Sequence, residues 1–152
     1  MVDSTFRCLR GPTDVEPAVV HALQGVINPE YVDESFTIEK WLREPDSWLY
    51  YSPDLLDFAM FERHSNDWYE GHQWLGSRKG RAGIDWCEAV LEDFFKESNC
   101  PGVIGLTPIG NKPAAWMARK LGFQVGDAFA APGGWVRLFF LTNPLRPDII
   151  VK

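Results

Sequence analysis

The chain has 152 residues, with 45% hydrophobic and 24% charged side chains, enough to bury a single core without a disulfide or metal staple. Seven Trp, ten Phe and four Tyr exclude a disordered chain, and no apolar run approaches the roughly 20 residues of a membrane span. A net charge of −6 excludes a surface that clamps nucleic acid throughout, so neither membrane nor nucleic acid is an expected partner.

In chain order, Ser4 to Leu9 reads as a first strand, ended by Gly11-Pro12. Thr13 then caps a helix, with Glu16 completing a capping box. That helix carries Val15, Val19, Val20, Leu23 and Val26-Ile27 and stops before Pro29, and a second short helix covers Thr37 to Arg43. Ser47 to Ser52, Leu56 to His64 and Asp67 to Leu75 are aromatic-rich and read as three strands. On the last of these, Trp68, Glu70, His72 and Trp74 share one face, and Tyr69, Gly71, Gln73 and Leu75 the other. The glycine-rich, basic stretch Gly76 to Gly83 follows. After it Ile84, Cys87, Val90, Leu91 and Phe94 recur at helical spacing as far as Lys96. Pro101-Gly102 opens a strand over Val103 to Thr107. Asn111 caps a helix from Lys112 to Lys120, which Gly122 stops. Gln124 to Phe129 and Trp135 to Thr142 form a closing hairpin through Ala131 to Gly134. With no repeat or linker, residues 1–152 read as one α/β (α+β) domain with a mixed sheet and helices on its faces.

The seven Trp are expected mostly in the core. Trp86 falls off the apolar stripe of its helix and so is expected on a partner surface, such as a homodimer contact. The opening residues lack the apolar core of a signal peptide. Cys8, Cys87 and Cys100 are odd in number and show no Cys-x-x-Cys spacing, which points to a reduced, cytoplasmic setting without structural zinc.

Strand, glycine-rich basic loop and amphipathic helix in succession form an anion-binding arrangement, because a helix N-terminus presents unpaired N–H groups and partial positive charge. Arg78, Lys79 and Arg81 add long-range attraction, and Gly80 and Gly83 permit close approach of the backbone. No Gly-Lys-Ser/Thr closes the loop, and it is not Gly-x-Gly-x-x-Gly. A nucleotide-binding module using this loop would therefore lack a magnesium-ligand motif.

The segment Asn111-Lys112-Pro113-Ala114 … Leu121-Gly122-Phe123 resembles the Asn-x-x-Ala…Leu-Gly-Phe signature of the GNAT superfamily of acetyl-CoA-dependent N-acetyltransferases. Ser77-Arg78-Lys79-Gly80-Arg81-Ala82 resembles that family's pyrophosphate loop, and the order of elements is similar to the family's fold. The resemblance implies a mostly antiparallel sheet of six or seven strands, with the last strand beside Gln124–Phe129. It implies acetyl-CoA as co-substrate, with Trp74, Leu75 and Gly76 along the pantetheine arm. The amides of Arg78, Lys79, Gly80, Arg81, Ala82 and Gly83 would lie on the pyrophosphate, and Asn111 near the thioester. Tyr69 to His72 and Thr107 to Asn111 look most like small phage and prophage members. Two positions depart from the family pattern: Ser77 replaces Gln or Arg, and Ala118 stands where many members have the Tyr that protonates the leaving thiolate. A water can serve instead, as can Tyr50, Tyr51 or Tyr69. The loss also keeps open a catalytically silent protein of this fold that acts in assembly or partner binding.

Acetyl transfer to an amine needs a base that takes the amine's proton. Glu62, Glu70, His64 and His72 lie on the two central strands. Glu70 and His72 come first because they share a face near the expected opening of the sheet, and no metal is expected. From Asp14 to Asp57 there are ten acids against two bases. In the resembling family this half forms the acceptor side, so Glu30, Asp33 and Glu34 are expected to recognise a cationic amine such as a polyamine, an aminosugar or a protein lysine.

Overall fold

The computed structural model describes residues 6–27 and 35–149. Among them it contains seven strands and four α-helices: β1 (Arg7–Arg10), α1 (Pro17–Gln24), α2 (Ile38–Leu42), β2 (Trp48–Tyr51), β3 (Asp57–Arg63), β4 (Tyr69–Leu75), α3 (Arg81–Ser98), β5 (Gly102–Pro108), α4 (Lys112–Lys120), β6 (Gln124–Ala131) and β7 (Gly134–Thr142). The strand order is β1-β2-β3-β4-β5-β7-β6, mostly antiparallel with β4 and β5 parallel. The expected mixed α/β sheet is therefore present. The residues group into two compact units, Met1–Arg63 with His72–Trp86, and His64–Gly71 with Cys87–Lys152.

In the first unit β1, β2 and β3 pair antiparallel, with Cys8 opposite Tyr50 and Tyr50 opposite Ala59. All four residues of β2 and the first five of β3 are buried, which is why these strands read as continuous aromatic runs rather than alternating ones. Val20 and Leu23 of α1 and Ile38, Trp41 and Leu42 of α2 pack with Leu49, Phe58 and Met60. Thr37 caps α2 by accepting the Lys40 N–H at 3.2 Å, and the Gln24 side chain accepts the Ile38 N–H at 2.8 Å. The capping box at Thr13 does not form. A cap at Thr13 would require Pro17 to donate the first helical hydrogen bond, and proline has no N–H. The helix instead starts on Pro17, the position proline favours. Residues 11–13 form a turn after β1, closed by the Asp14 N–H, which reaches the Arg10 carbonyl at 3.0 Å. Val26 and Ile27 lie beyond the helix end, although Ile27 remains buried.

In the second unit β5 pairs along its length with β7, from Gly102 opposite Thr142 to Pro108 opposite Val136, and β6 lies on the far side of β7 as expected. The parallel β4–β5 ladder joins Tyr69 to Val103 and Glu70 to Ile104. Tyr69 meets Phe94 of α3 edge-on at 5.1 Å. Asn143, buried after β7, donates its amide to the carbonyls of Phe95 and Cys100 at 3.2 and 2.9 Å. Asn111 caps α4 by accepting the Ala114 N–H at 3.3 Å.

Three tryptophans depart from expectation. Trp86 is 3% exposed, so it offers no partner surface, and the Arg78 guanidinium lies 5.9 Å from its ring. Trp116 and Trp135 are exposed rather than in the core. Hydrophobic spacing ranks helix positions by angle, but a loop folded across the helix start widens the buried face beyond that stripe.

Candidate functional site

Beyond Leu75 the chain turns through residues 76–80 into α3. The Gly76 N–H donates to the Leu56 carbonyl at 2.8 Å, so near that a Cβ at Gly76 would stand 2.5 Å from that oxygen. Gly80 has φ +57, the left-handed region that favours glycine, and it delivers the chain directly into the helix. The first intrahelical bond here is Ile84 N–H to Gly80 carbonyl at 3.2 Å. The N–H groups of Arg81, Ala82 and Gly83 come before it at the positive end of an 18-residue helix. Lys79 and Arg81 are exposed beside that end, and Arg81 pairs with Asp85 at 3.0 Å. This end of the helix can take an anion.

Asp57 holds the loop in place. Its carboxylate has no solvent exposure and accepts the Ser77 N–H at 3.0 Å, the Arg78 N–H at 3.3 Å, the Ser77 hydroxyl and the Arg78 guanidinium. Burial alone would push this carboxyl up, but the hydrogen bonds from Ser77 and Arg78 outweigh it and hold the group below the usual carboxylate range. Arg78 thus spends its charge inward and steadies the backbone, and Ser77, the departure from the family loop, supplies two of the bonds. Asp57 counts with the acidic half in the sequence. Its partners lie 20 and 21 positions away, beyond the reach of local spacing.

On β4, the His72 Nε2 lies 3.1 Å from Oε1 of Glu62 on β3, and the other Glu62 oxygen accepts the Trp41 indole N–H at 3.2 Å. The His72 ring stacks toward Trp74, itself stacked 4.9 Å from Phe58 and 6.5 Å from Phe36. Trp74 therefore belongs to an aromatic wall as well as to the strand beside Leu75 and Gly76.

In the second unit the Glu70 carboxylate faces His64 at 3.8 Å. Asn111, Lys112, Ala115 and Arg119 border a cleft of about 200 Å³ with Thr107, Arg137 and Phe139. Ala118 is half-buried on α4. Tyr50, Tyr51 and Tyr69 are all buried, and burial pushes the Tyr51 phenol up. Glu30, Asp33 and Glu34 lie outside the described residues. No helix among the described residues is long and apolar enough to cross a membrane.

No protein-family model and no curated protein sequence matches the chain. Solved structures do. A single-residue mutant of the spermidine N-acetyltransferase SpeG from Vibrio cholerae matches with a TM-score of 0.71 at 9% identity, covering 96% of this chain and 98% of that one. A candidate acetyltransferase from Acinetobacter baylyi ADP1 matches at 0.61 and 16% identity, over 97% and 98%. A candidate GNAT-family acetyltransferase from Bordetella pertussis matches at 0.59 and 17% identity, over 81% and 87%. At these identities the likeness establishes a shared fold.

Proposed function

We propose that the chain, acting as one domain over residues 1–152, is an acetyl-CoA-dependent N-acetyltransferase that modifies a cationic primary amine. The observation that carries this reading is the Asp57-anchored loop leading through Gly80 into the N-terminus of α3, in a fold shared with acetyltransferases. The amides of Arg81, Ala82 and Gly83 would hold the pyrophosphate, with Lys79 and Arg81 attracting it and Arg78 steadying the loop. The pantetheine arm would run along Trp74, Leu75 and Gly76, with Asn111 near the thioester.

In the reaction the neutral amine nitrogen attacks the thioester carbonyl carbon, the carbon–sulfur bond breaks, and the thiolate leaves as coenzyme A. His72 takes the proton the amine loses, and Glu70 is the second candidate. Water protonates the thiolate, since Ala118 has no acidic group. Spermidine is the first acceptor to try, because the SpeG relative acts on it and the acidic half with Glu30, Asp33 and Glu34 would attract a polyamine. The phage-type subgroup rests on the Tyr69–His72 and Thr107–Asn111 motifs alone, and a cytoplasmic setting rests on the free thiols of Cys8, Cys87 and Cys100.

Isothermal titration with acetyl-CoA is expected to show saturable binding that weakens at least tenfold in Gly80→Glu, whose side chain is strained at a positive φ and adds negative charge at the helix end. No heat at millimolar ligand removes the cofactor assignment. Ala118 favours a second reading, a silent protein of this fold that serves assembly or partner binding. Acetyl-CoA binding without turnover on any of spermidine, an aminosugar, a lysine peptide or an anionic amino acid would establish it.

A further inference from the structure

The cleft beside α4 has a charge that neither the cap at Asn111 nor the fold requires. Three cations line it, Lys112 and Arg119 from α4 and Arg137 from β7, and no carboxylate does. We propose that this cleft in the second unit is an anion site that takes a phosphoryl group, either free phosphate or one carried on an organic body. The site does not depend on the acetyl-transfer reading above; only a coenzyme as its ligand does.

Surface cations are ordinarily interspersed with acids, because like charges around one concavity repel each other. Arg43, Arg63, Arg78, Arg81 and Arg146 each have a carboxylate partner. Among the described residues Lys112, Arg119 and Arg137 have none. From Lys112 to Arg137 the sequence holds four bases against one acid, Asp127, in a chain of net charge −6. A concave surface of one sign concentrates ions of the other.

The two arginines are also held at the cleft. Arg137 is half-buried, and its Nη1 donates to the Gly126 carbonyl at 3.2 Å, where the β6–β7 register shifts between Val125 and Ala128. That bond takes one of five guanidinium N–H donors and leaves the others for an oxyanion. The Arg119 guanidinium lies 5.7 Å from the ring of Phe139, which is 1% exposed, so a buried ring seats the second charge. Lys112 stands two turns before Arg119 on the same face of α4. The helix end itself supplies little. The Lys112 N–H is bonded to the Gly110 carbonyl at 2.9 Å, Pro113 has no N–H and Asn111 caps the Ala114 N–H. Side chains must therefore hold the anion.

Charge and space set the ligand class. Two guanidiniums and an ammonium balance a phosphoryl group, which carries about −1.5 to −2 at pH 7, better than they balance one carboxylate. The cleft holds about 200 Å³. Gly105 lies on the same face of β5 as Thr107 of the cleft, and nothing stands within 4 Å of its Cβ position. That face has room for an organic body attached to the phosphoryl group.

The experiment is a ¹H–¹⁵N NMR titration of the full chain with inorganic phosphate, against sodium chloride at matched ionic strength. Saturable shifts at roughly millimolar phosphate are expected at the amides of residues 107–112 and at the Arg137 side chain. Lys112→Met and Arg119→Met, both at exposed positions that tolerate substitution, should each weaken binding about fivefold. Lys120→Met, which removes an exposed cation of the same helix outside the cleft, should leave it unchanged. Calorimetry with acetyl-CoA and its 3′-dephospho form then separates the sources. A preference of about tenfold for the 3′-phosphate, falling to about twofold in Arg119→Met, makes the coenzyme the ligand. Equal affinities alongside the phosphate shifts make it free phosphate. Phosphate shifts in a chain that binds no acetyl-CoA overturn the acetyl-transfer reading and leave the anion site standing. Shifts no larger with phosphate than with chloride, together with equal affinity for the two coenzyme forms, overturn the proposal. So does an effect of Lys120→Met as large as that of Arg119→Met.

Discussion

A carboxylate shut away from solvent persists only where donors surround it, and Asp57 has four, from Ser77 and Arg78. The arrangement converts a core acid into an anchor for a surface loop. Arg78→Met removes the compensating charge while leaving Asp57 buried, so we expect a loss of about 2–3 kcal/mol in chemical denaturation. Lys79→Met, at an exposed neighbour, should cost less than about 0.5 kcal/mol. The folded carboxyl lies below its free value of about 3.9, so its contribution to stability is complete above that pH. It is lost as pH falls through the lower folded value, when the protonated group can no longer hold Arg78. Stability of the wild type measured from pH 6 downward should therefore fall below about pH 4, and Asp57→Asn should flatten that part of the curve. A wild-type curve equally flat there would refute the anchor.

Among the elements, the loop between β4 and α3 depends on two glycines for different reasons. Gly76 is needed for space: its Cβ position is occupied by the Leu56 carbonyl. Gly76→Ala must push two backbone segments apart, and about 1–3 kcal/mol and a Tm lower by several degrees are expected. Gly80 is needed for conformation, since nothing stands within 4 Å of its Cβ position and only the positive φ penalises a side chain. Asn111 separates stability from ligand binding. Its oxygen caps α4, so Asn111→Ala should cost about 1 kcal/mol and Asn111→Asp almost nothing. If the same side chain also meets the thioester region, Asn111→Asp should retain stability and still weaken acetyl-CoA binding. Unchanged acetyl-CoA affinity in Asn111→Asp would leave Asn111 a cap alone.

For the whole molecule, a charge of −6 gathered largely between Asp14 and Asp57 attracts cations over a distance set by salt, about 10 Å at 0.1 M ionic strength. For spermidine, kcat/KM is expected to fall several-fold between low and 0.5 M salt, whereas an anionic acceptor should improve or stay level. Charge reversal at Glu30, Asp33 and Glu34 together should flatten the spermidine response. A preference for the anionic acceptor at low salt would dismiss the acidic half as a steering surface.

The elements were legible wherever physics is local. The strand at β4, the cap at Asn111 and the glycine stop at Gly122 depend on residues within a turn or two, and the structure has them in place. Even the misplaced start of α1 was a local matter, decided by the absent N–H of Pro17. Long-range partners were not legible. Asp57 meets Ser77, Trp41 meets Glu62 and Glu62 meets His72 across 20, 21 and 10 positions, and Trp86 is buried although its helical angle placed it outside. Side-chain type and spacing determine which element a residue joins, through backbone sterics and hydrogen bonding over a few residues. Which carboxylate is buried, which histidine is oriented and which tryptophan is covered depend on strand pairing and on helices packed against strands. Those exist only once distant segments have excluded water between them.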